Sequence, residues 1–246
     1  MAQSGPGQSR QFDDFRSGQQ QLVASTTAPP IAVGNGTFSL VGQGLADTDS
    51  GGVIGVNGIV LTATNEAEHA AGLTTRIAYD VGLHGTIVAE TYVEFGNLDT
   101  KEFFFGFSDV QTDLAILEGA IAHGTGTTFT LTASDICGFW LSSELTDDEA
   151  WHAIHNGGTT TGVTDSTALA LGVDAVAAER DLLRLEIDTN GTARWFLNGV
   201  LKKTLAGAVS TTVNLCCSLI VEEKVTGNAA CTVEYLDIKS NRDWTR

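Results

Sequence analysis

Residues 182–205, LLRLEIDTNGTARWFLNGVLKKTL, restrict what this chain can fold into more than any other stretch. Leu183, Leu185 and Ile187 alternate with Arg184, Glu186 and Asp188. A period-two strand with one apolar and one charged face therefore runs into Asn190-Gly191. Asn-Gly is the strongest short hairpin signal, because a type I′ turn needs positive φ at both central residues and these two tolerate it best. The return places Ala193, Trp195 and Leu197 on one face and Thr192, Arg194 and Phe196 on the other, and Asn198-Gly199 turns the chain again. The spacing predicts a three-stranded antiparallel meander.

The rest of the chain repeats the theme. Segments 37–41, 58–64, 75–79, 129–131, 136–142, 213–221 and 231–238 have strand character. The most apolar pair is 86–95 and 101–109, joined by a loop of hairpin length. Phe103, Phe105 and Phe107 share a face opposite Phe104, which predicts that this pair lies at the centre of a sandwich. Residues 65–73 have weak helical character, and 169–176 are apolar and irregular. Residues 143–156 fit either a short helix with a Thr146/Glu149 capping box or an acidic loop followed by a strand, and the second is favoured. With about twelve to fourteen strands, a turn signal about every ten residues and no long helix, the expected fold is all-β: a two-sheet antiparallel sandwich.

Residues 1–30 differ in composition, with six Gln and all three prolines. They read as an extended N-terminal arm ahead of a single sandwich domain, 31–246. Within the arm, Phe12 and Phe15 flank Asp13 and Asp14. The two aromatics read first as anchors onto the arm's own domain and next as contacts to a partner; the candidate partner contacts are these four, with Trp244 in the polar tail.

The net charge is −17, and the imbalance sits in 43–174, which holds 19 acidic residues against Arg76 and Lys101. Such a surface repels nucleic acid. No stretch is apolar enough to span a membrane, and the N-terminus lacks the apolar core of a secretory signal. Cys137, Cys216, Cys217 and Cys231 have no metal-like spacing, and adjacent strand residues face opposite ways, so buried free thiols formed in a reducing compartment are expected. The Asn-Gly-Thr sequons at Asn35 and Asn190 would then never meet a glycosylating enzyme.

Catalytic signatures are weak. Glu90 and Glu94 on one strand face would lie about 13 Å apart, too far for the roughly 5 Å of a retaining glycosidase pair. Glu186 and Asp188, about 7 Å apart, sit beside a turn where a solvated face is the default. Asp47-Thr48-Asp49-Ser50 opens like a calcium loop, but Gly58 occupies the position of its bidentate Glu. His69, His84, His123, His152 and His155 form no metalloprotease or triad pattern; His152 and His155 near Asp147, Asp148 and Glu149 are the nearest approach to a metal set. No catalytic, metal or cofactor residue is expected. For a sugar platform, Trp151, with Trp140 and Trp195 behind it, is the available aromatic, and each is also a good core residue.

The motifs Phe12-Asp13-Asp14-Phe15, ETYVEF followed by FFFGFSD, GFWLSSELTDDEAWHAI, LRLEIDTNGTARWFLNGVL and the closing VEYLDI together resemble the concanavalin A-like jelly rolls in structural proteins of tailed bacteriophages. The likeness covers most of the chain from about residue 35, and its motifs are structural. It implies a non-enzymatic virion protein that decorates and stabilises the outer capsid surface. The implied partners are the major capsid protein and further copies of the chain, as a homotrimer assembled in host cytoplasm. The alternative it implies is a carbohydrate-binding domain of a fibre or tail that recognises surface glycans, and after that a glycoside hydrolase.

Overall fold

The computed structural model describes residues 8–16, 21–22, 31–33, 36–43, 51–64, 69–75, 79–110, 120–122, 126–224 and 227–241. The strands follow in order: β1 (Gln8–Asp13), β2 (Gln21–Leu22), β3 (Ile31–Val33), β4 (Phe38–Gln43), β5 (Gly51–Gly55), β6 (Gly58–Thr64), β7 (Ala70–Thr74), β8 (Tyr79–Asp80), β9 (Ile87–Glu94) and β10 (Lys101–Ser108). Then come β11 (Ile121–Ala122), β12 (Thr130–Leu131), β13 (Ile136–Ser142), β14 (Ala150–Asn156), β15 (Ala170–Asp174), β16 (Arg180–Ile187), β17 (Ala193–Leu197), β18 (Val200–Leu205), β19 (Asn214–Glu223) and β20 (Asn228–Asn241).

One sheet runs β18-β17-β16-β9-β20-β6-β5-β2 with β1 also on β20, and the other runs β15-β14-β13-β10-β19-β7-β4-β3 with β8 also on β19. The two-sheet sandwich expected from the alternation is thus present. Its core is the set of inward residues of both sheets, among them Phe103, Phe105 and Phe107 of β10 and Leu183, Leu185 and Ile187 of β16. Each such side chain, fully buried, stabilises by about 1.5–3 kcal/mol. The Trp195 indole of the first sheet donates to the Gly138 carbonyl of the second at 2.7 Å.

The meander forms as expected, β16-β17-β18. Its second turn has φ of 51° at Asn198 and 77° at Gly199, the two positive values a type I′ turn needs. The first turn is a correction. Strand pairing stops at Ile187 and Ala193. Asp188 closes the loop base with Thr192 and Gly191, and the Asn190 side chain accepts the Thr192 N–H at 3.0 Å. That five-residue loop needs positive φ only at Gly191.

Three further expectations are corrected. The pair 86–95 and 101–109 does not form a hairpin: β9 and β10 are central strands of opposite sheets, and the connection arches across the sandwich. Residues 70–74 are β7, between β19 and β4, where a Cβ on Gly72 would meet the Leu219 carbonyl at 2.8 Å. The small residues that suggested helix are there for close strand approach. Residues 170–174 form edge strand β15 on β14.

Over 8–16 the arm packs onto its own domain, one of the two uses its aromatics suggested. β1 pairs antiparallel with the second half of β20, Gln8 opposite Asn241 through Asp13 opposite Leu236. It is an edge strand of the first sheet. Phe15 then adopts φ of 51° and turns its ring into the core against Phe38. Positive φ is costly for a bulky residue, and complete burial of the ring offsets it.

Candidate functional site

Trp151 is not a platform. It is fully buried among Phe95, Phe103 and Phe139, and its indole N–H donates to Asp181 at 2.9 Å. Trp140 and Trp195 are equally buried. The outer face of the second sheet, where Trp140 lies, is covered: Ala120, Ile121, Phe129, Ala133, Leu145 and Leu169 pack over Phe104, Trp140, Ile154 and Ile220 as a second apolar cluster. At its margin Glu102, Glu222 and Glu144 surround Lys224 at 3.3, 3.0 and 3.7 Å. Glu102 and Glu222 are wholly buried, and of the three carboxylates only Glu144 reaches solvent.

His152 and His155 do not converge. His152 faces that outer cluster, bonded to Asp147 at 2.9 Å, while His155 stands on the opposite face of β14 across from Cys137. Asp147 also accepts from the Ser166 hydroxyl at 2.6 Å. The carboxylate therefore stands between serine and histidine, an order that cannot activate the serine. Burial pushes the Asp147 carboxyl up, but its hydrogen bonds from His152 and Ser166 outweigh this and hold it below the usual range. Among the described residues no group of three or more His, Cys, Asp or Glu is arranged to hold a metal. The segment 47–50 lies outside them.

The outer face of the first sheet is open and ordered by cross-strand pairs. Arg180 meets Glu94 at 2.9 Å and Glu234 at 2.6 Å; Arg184 meets Glu186 at 2.5 Å and Glu90 at 3.5 Å. Arg194 meets Asp188 at 2.5 Å and holds that carboxyl below the usual range. The carboxylates weighed as a hydrolase set, Glu90, Glu94, Glu186 and Asp188, are thus all ion-paired.

Where β1 joins this face the surface changes character. A register shift in β20 between Val233 and Tyr235 helps turn the Tyr235 ring outward, where its hydroxyl donates to Glu90 at 2.9 Å. Burial, reinforced by that carboxylate, pushes the phenol up. Phe12, 38% exposed, lies 6.2 Å from the Tyr235 ring. The Arg10 guanidinium stacks 4.8 Å over Phe12 and forks onto Asp237 at 2.8 and 2.9 Å. Beside it opens a cleft of about 380 Å³ lined by Ser9, Arg10, Thr86, Val88, Lys239, Ser240 and Asn241.

Of the residues singled out in the sequence, Phe12 alone belongs to this exposed aromatic surface. Asp13 is buried and accepts the Phe15 N–H at 2.8 Å, and Phe15 is core, so neither offers a partner a surface. Asp14 is exposed, its side chain bonded to the Arg16 N–H. Trp244 lies outside the described residues. Arg10, Tyr235, Lys239 and Asn241 escaped sequence reasoning. The alternation of Arg10 and Phe12 with Ser9 and Gln11 was the one signal that could have marked β1.

No protein-family model and no curated protein matches the sequence. Among solved structures the chain is similar to a protein of unknown function from Shewanella oneidensis MR-1, with TM-score 0.60 and 10% identity over 98% of this chain and 90% of that one. It is similar to the potassium-bound carbohydrate recognition domain of Emp46p, with TM-score 0.55 and 10% identity over 93% and 98%. Peanut lectin with a 9mer peptide gives TM-score 0.55 and 13% identity over 97% and 99%. The fold is that of the lectin-like, concanavalin A-like jelly-roll sandwiches.

Proposed function

We propose that the chain is a non-enzymatic carbohydrate-binding domain, with its site on the outer face of the first sheet where β1 meets β20. The observation that carries this reading is the exposed Phe12 ring beside Tyr235, next to a cleft lined with hydroxyl, amide and cationic groups. Sugars present an apolar C–H face and a ring of hydroxyls, and an aromatic shelf bordered by polar groups matches both. Recurrence of the fold in carbohydrate recognition domains and lectins supports the reading. Pairing of the accessible carboxylates with arginine supports a binding rather than a hydrolytic role.

The reading as a phage capsid decoration protein, with the major capsid protein and further copies as partners on the virion surface, rests on sequence motifs alone. The motifs after the arm build core strands β9, β10, β13, β14, β16, β17 and β20. They therefore carry fold more than role. A glycan array run on the parent and on Phe12→Ala tests the proposal. Binding that is lost in the variant while the domain stays folded is the expected result. Equal binding by both would remove the site, and absence of glycan binding together with co-sedimentation on capsids would replace the proposal with the decoration reading.

A further inference from the structure

We infer that the cleft at Arg10 and Lys239 takes an anionic sugar, one that places a carboxylate between these two cations. The inference deepens the carbohydrate reading and rests on it. It begins from charge. This chain carries 30 acidic and 13 basic residues, and across β17, β16, β9 and β20 each arginine is held by two carboxylates: Arg180 by Glu94 and Glu234, Arg184 by Glu90 and Glu186, Arg194 by Asp188 and Glu186. At the cleft the ratio inverts. Arg10 at 2.8 Å and Lys239 at 2.7 Å share the single carboxylate of Asp237. Among the described residues, two cations there are in contact with one carboxylate.

The geometry of the three groups suits ligand capture. Asp237 is only 5% exposed and fixed, whereas the Arg10 and Lys239 side chains are 38% and 52% exposed and reach solvent. Arg10 is further held by stacking on Phe12, so little side-chain freedom remains to be lost when a ligand binds. A guanidinium and an ammonium at one mouth are the donors a carboxylate calls for. The remaining lining supplies what a sugar ring calls for. The Thr86 hydroxyl donates to Asp188 at 3.2 Å, which leaves its oxygen free to accept from a sugar hydroxyl. Ser9, Ser240 and Asn241 add polar groups, and Val88 gives an apolar floor. A volume of about 380 Å³ lies within the range of small-ligand sites.

The test is calorimetric titration of the full chain with methyl glucuronide, methyl glucoside and inorganic sulfate, repeated on Lys239→Gln. Lys239 is exposed at the sheet surface, so the variant keeps the fold, and a matched thermal midpoint checks this. The expected result is glucuronide binding about tenfold or more tighter than glucoside, weakened about tenfold in the variant and weakened again by raised salt. Equal affinity for glucuronide and glucoside overturns the anionic inference and leaves carbohydrate binding standing. Sulfate binding as tight as glucuronide overturns the sugar part and leaves an anion site. Glucuronide binding unchanged in Lys239→Gln places the ligand elsewhere, and binding of none of the three overturns the inference, with the array on neutral glycans then deciding the broader reading.

Discussion

The Trp151 indole N–H and the Asp181 carboxylate meet at 2.9 Å inside the sandwich, and the same carboxylate accepts the Asn198 side-chain amide at 2.8 Å. Asn198 in turn accepts the Leu182 N–H at 2.8 Å. The tip of the second Asn-Gly turn is thereby tied to one of the buried indoles of the core. Trp151→Ala should cost about 3–5 kcal/mol by opening a cavity. Trp151→Phe should cost about 1–3 kcal/mol by leaving a buried acceptor without its donor. Urea unfolding at constant slope measures both, and an alanine variant within about 1 kcal/mol of the parent would contradict the buried assignment.

Phe12 and Phe15, three residues apart, should behave oppositely. Phe15→Ala removes a wholly buried ring from the Phe38 contact and should destabilise by about 3–5 kcal/mol. Phe12→Ala trims a ring on the outer face and should change stability by less than about 1 kcal/mol. Denaturant melts of the two variants decide whether β1 belongs to the domain: near-equal, small losses would mean that it does not.

How far the sequence could be followed depends on distance along the chain. The meander was legible because each strand pairs with its neighbour across a short turn whose chemistry is local. β1 was not, because its partner lies more than 200 residues away and no local signal specifies such a pairing. The arch between β9 and β10 has the length of a hairpin loop, so length could not say whether the chain pairs with itself or crosses to the other sheet. Trp151 had two good uses, and only burial could choose between them. The cleft was invisible for the same reason as β1: residues 9, 86 and 240 come together only once β1 and β9 flank the second half of β20.

The four thiols should be silent in the native protein. Cys137, Cys216, Cys217 and Cys231 are free and buried, and burial pushes each thiol up, Cys231 to about 12 even with Lys101 nearby to lower it. Thiolate is the reactive form. A colorimetric thiol reagent at mildly alkaline pH should find no fast-reacting cysteine before denaturation and all four after it. One fast native thiol would show that its strand is open to solvent.

Acid should weaken the outer face of the first sheet. The hydrogen bond from Arg194 holds the Asp188 carboxyl below the ordinary 3.8. Its contribution is therefore fully present above the ordinary carboxylate range and is lost as pH falls through the depressed value. Both side chains are partly exposed, so the effect is that of a surface pair, about 0.2–1 kcal/mol. The stability difference between the parent and Arg194→Gln should be constant near neutrality and close as pH is lowered into the carboxylate range. A difference that persists unchanged in acid would assign it to packing of the arginine stem.

The place of β19 and β20 has a consequence for biosynthesis. Each lies at the heart of its sheet, β20 between β9 on one side and β6 and β1 on the other, β19 between β10 and β7, yet both are made after every other described strand. Until residue 214 is made, β10 and β7 have no common neighbour, and until residue 228 β9 and β6 have none. Ribosomes add roughly 5–20 residues per second, so apolar strand edges stay uncovered for seconds to tens of seconds. Neither sheet can be completed before then, so closure of the sandwich waits on β19 and β20.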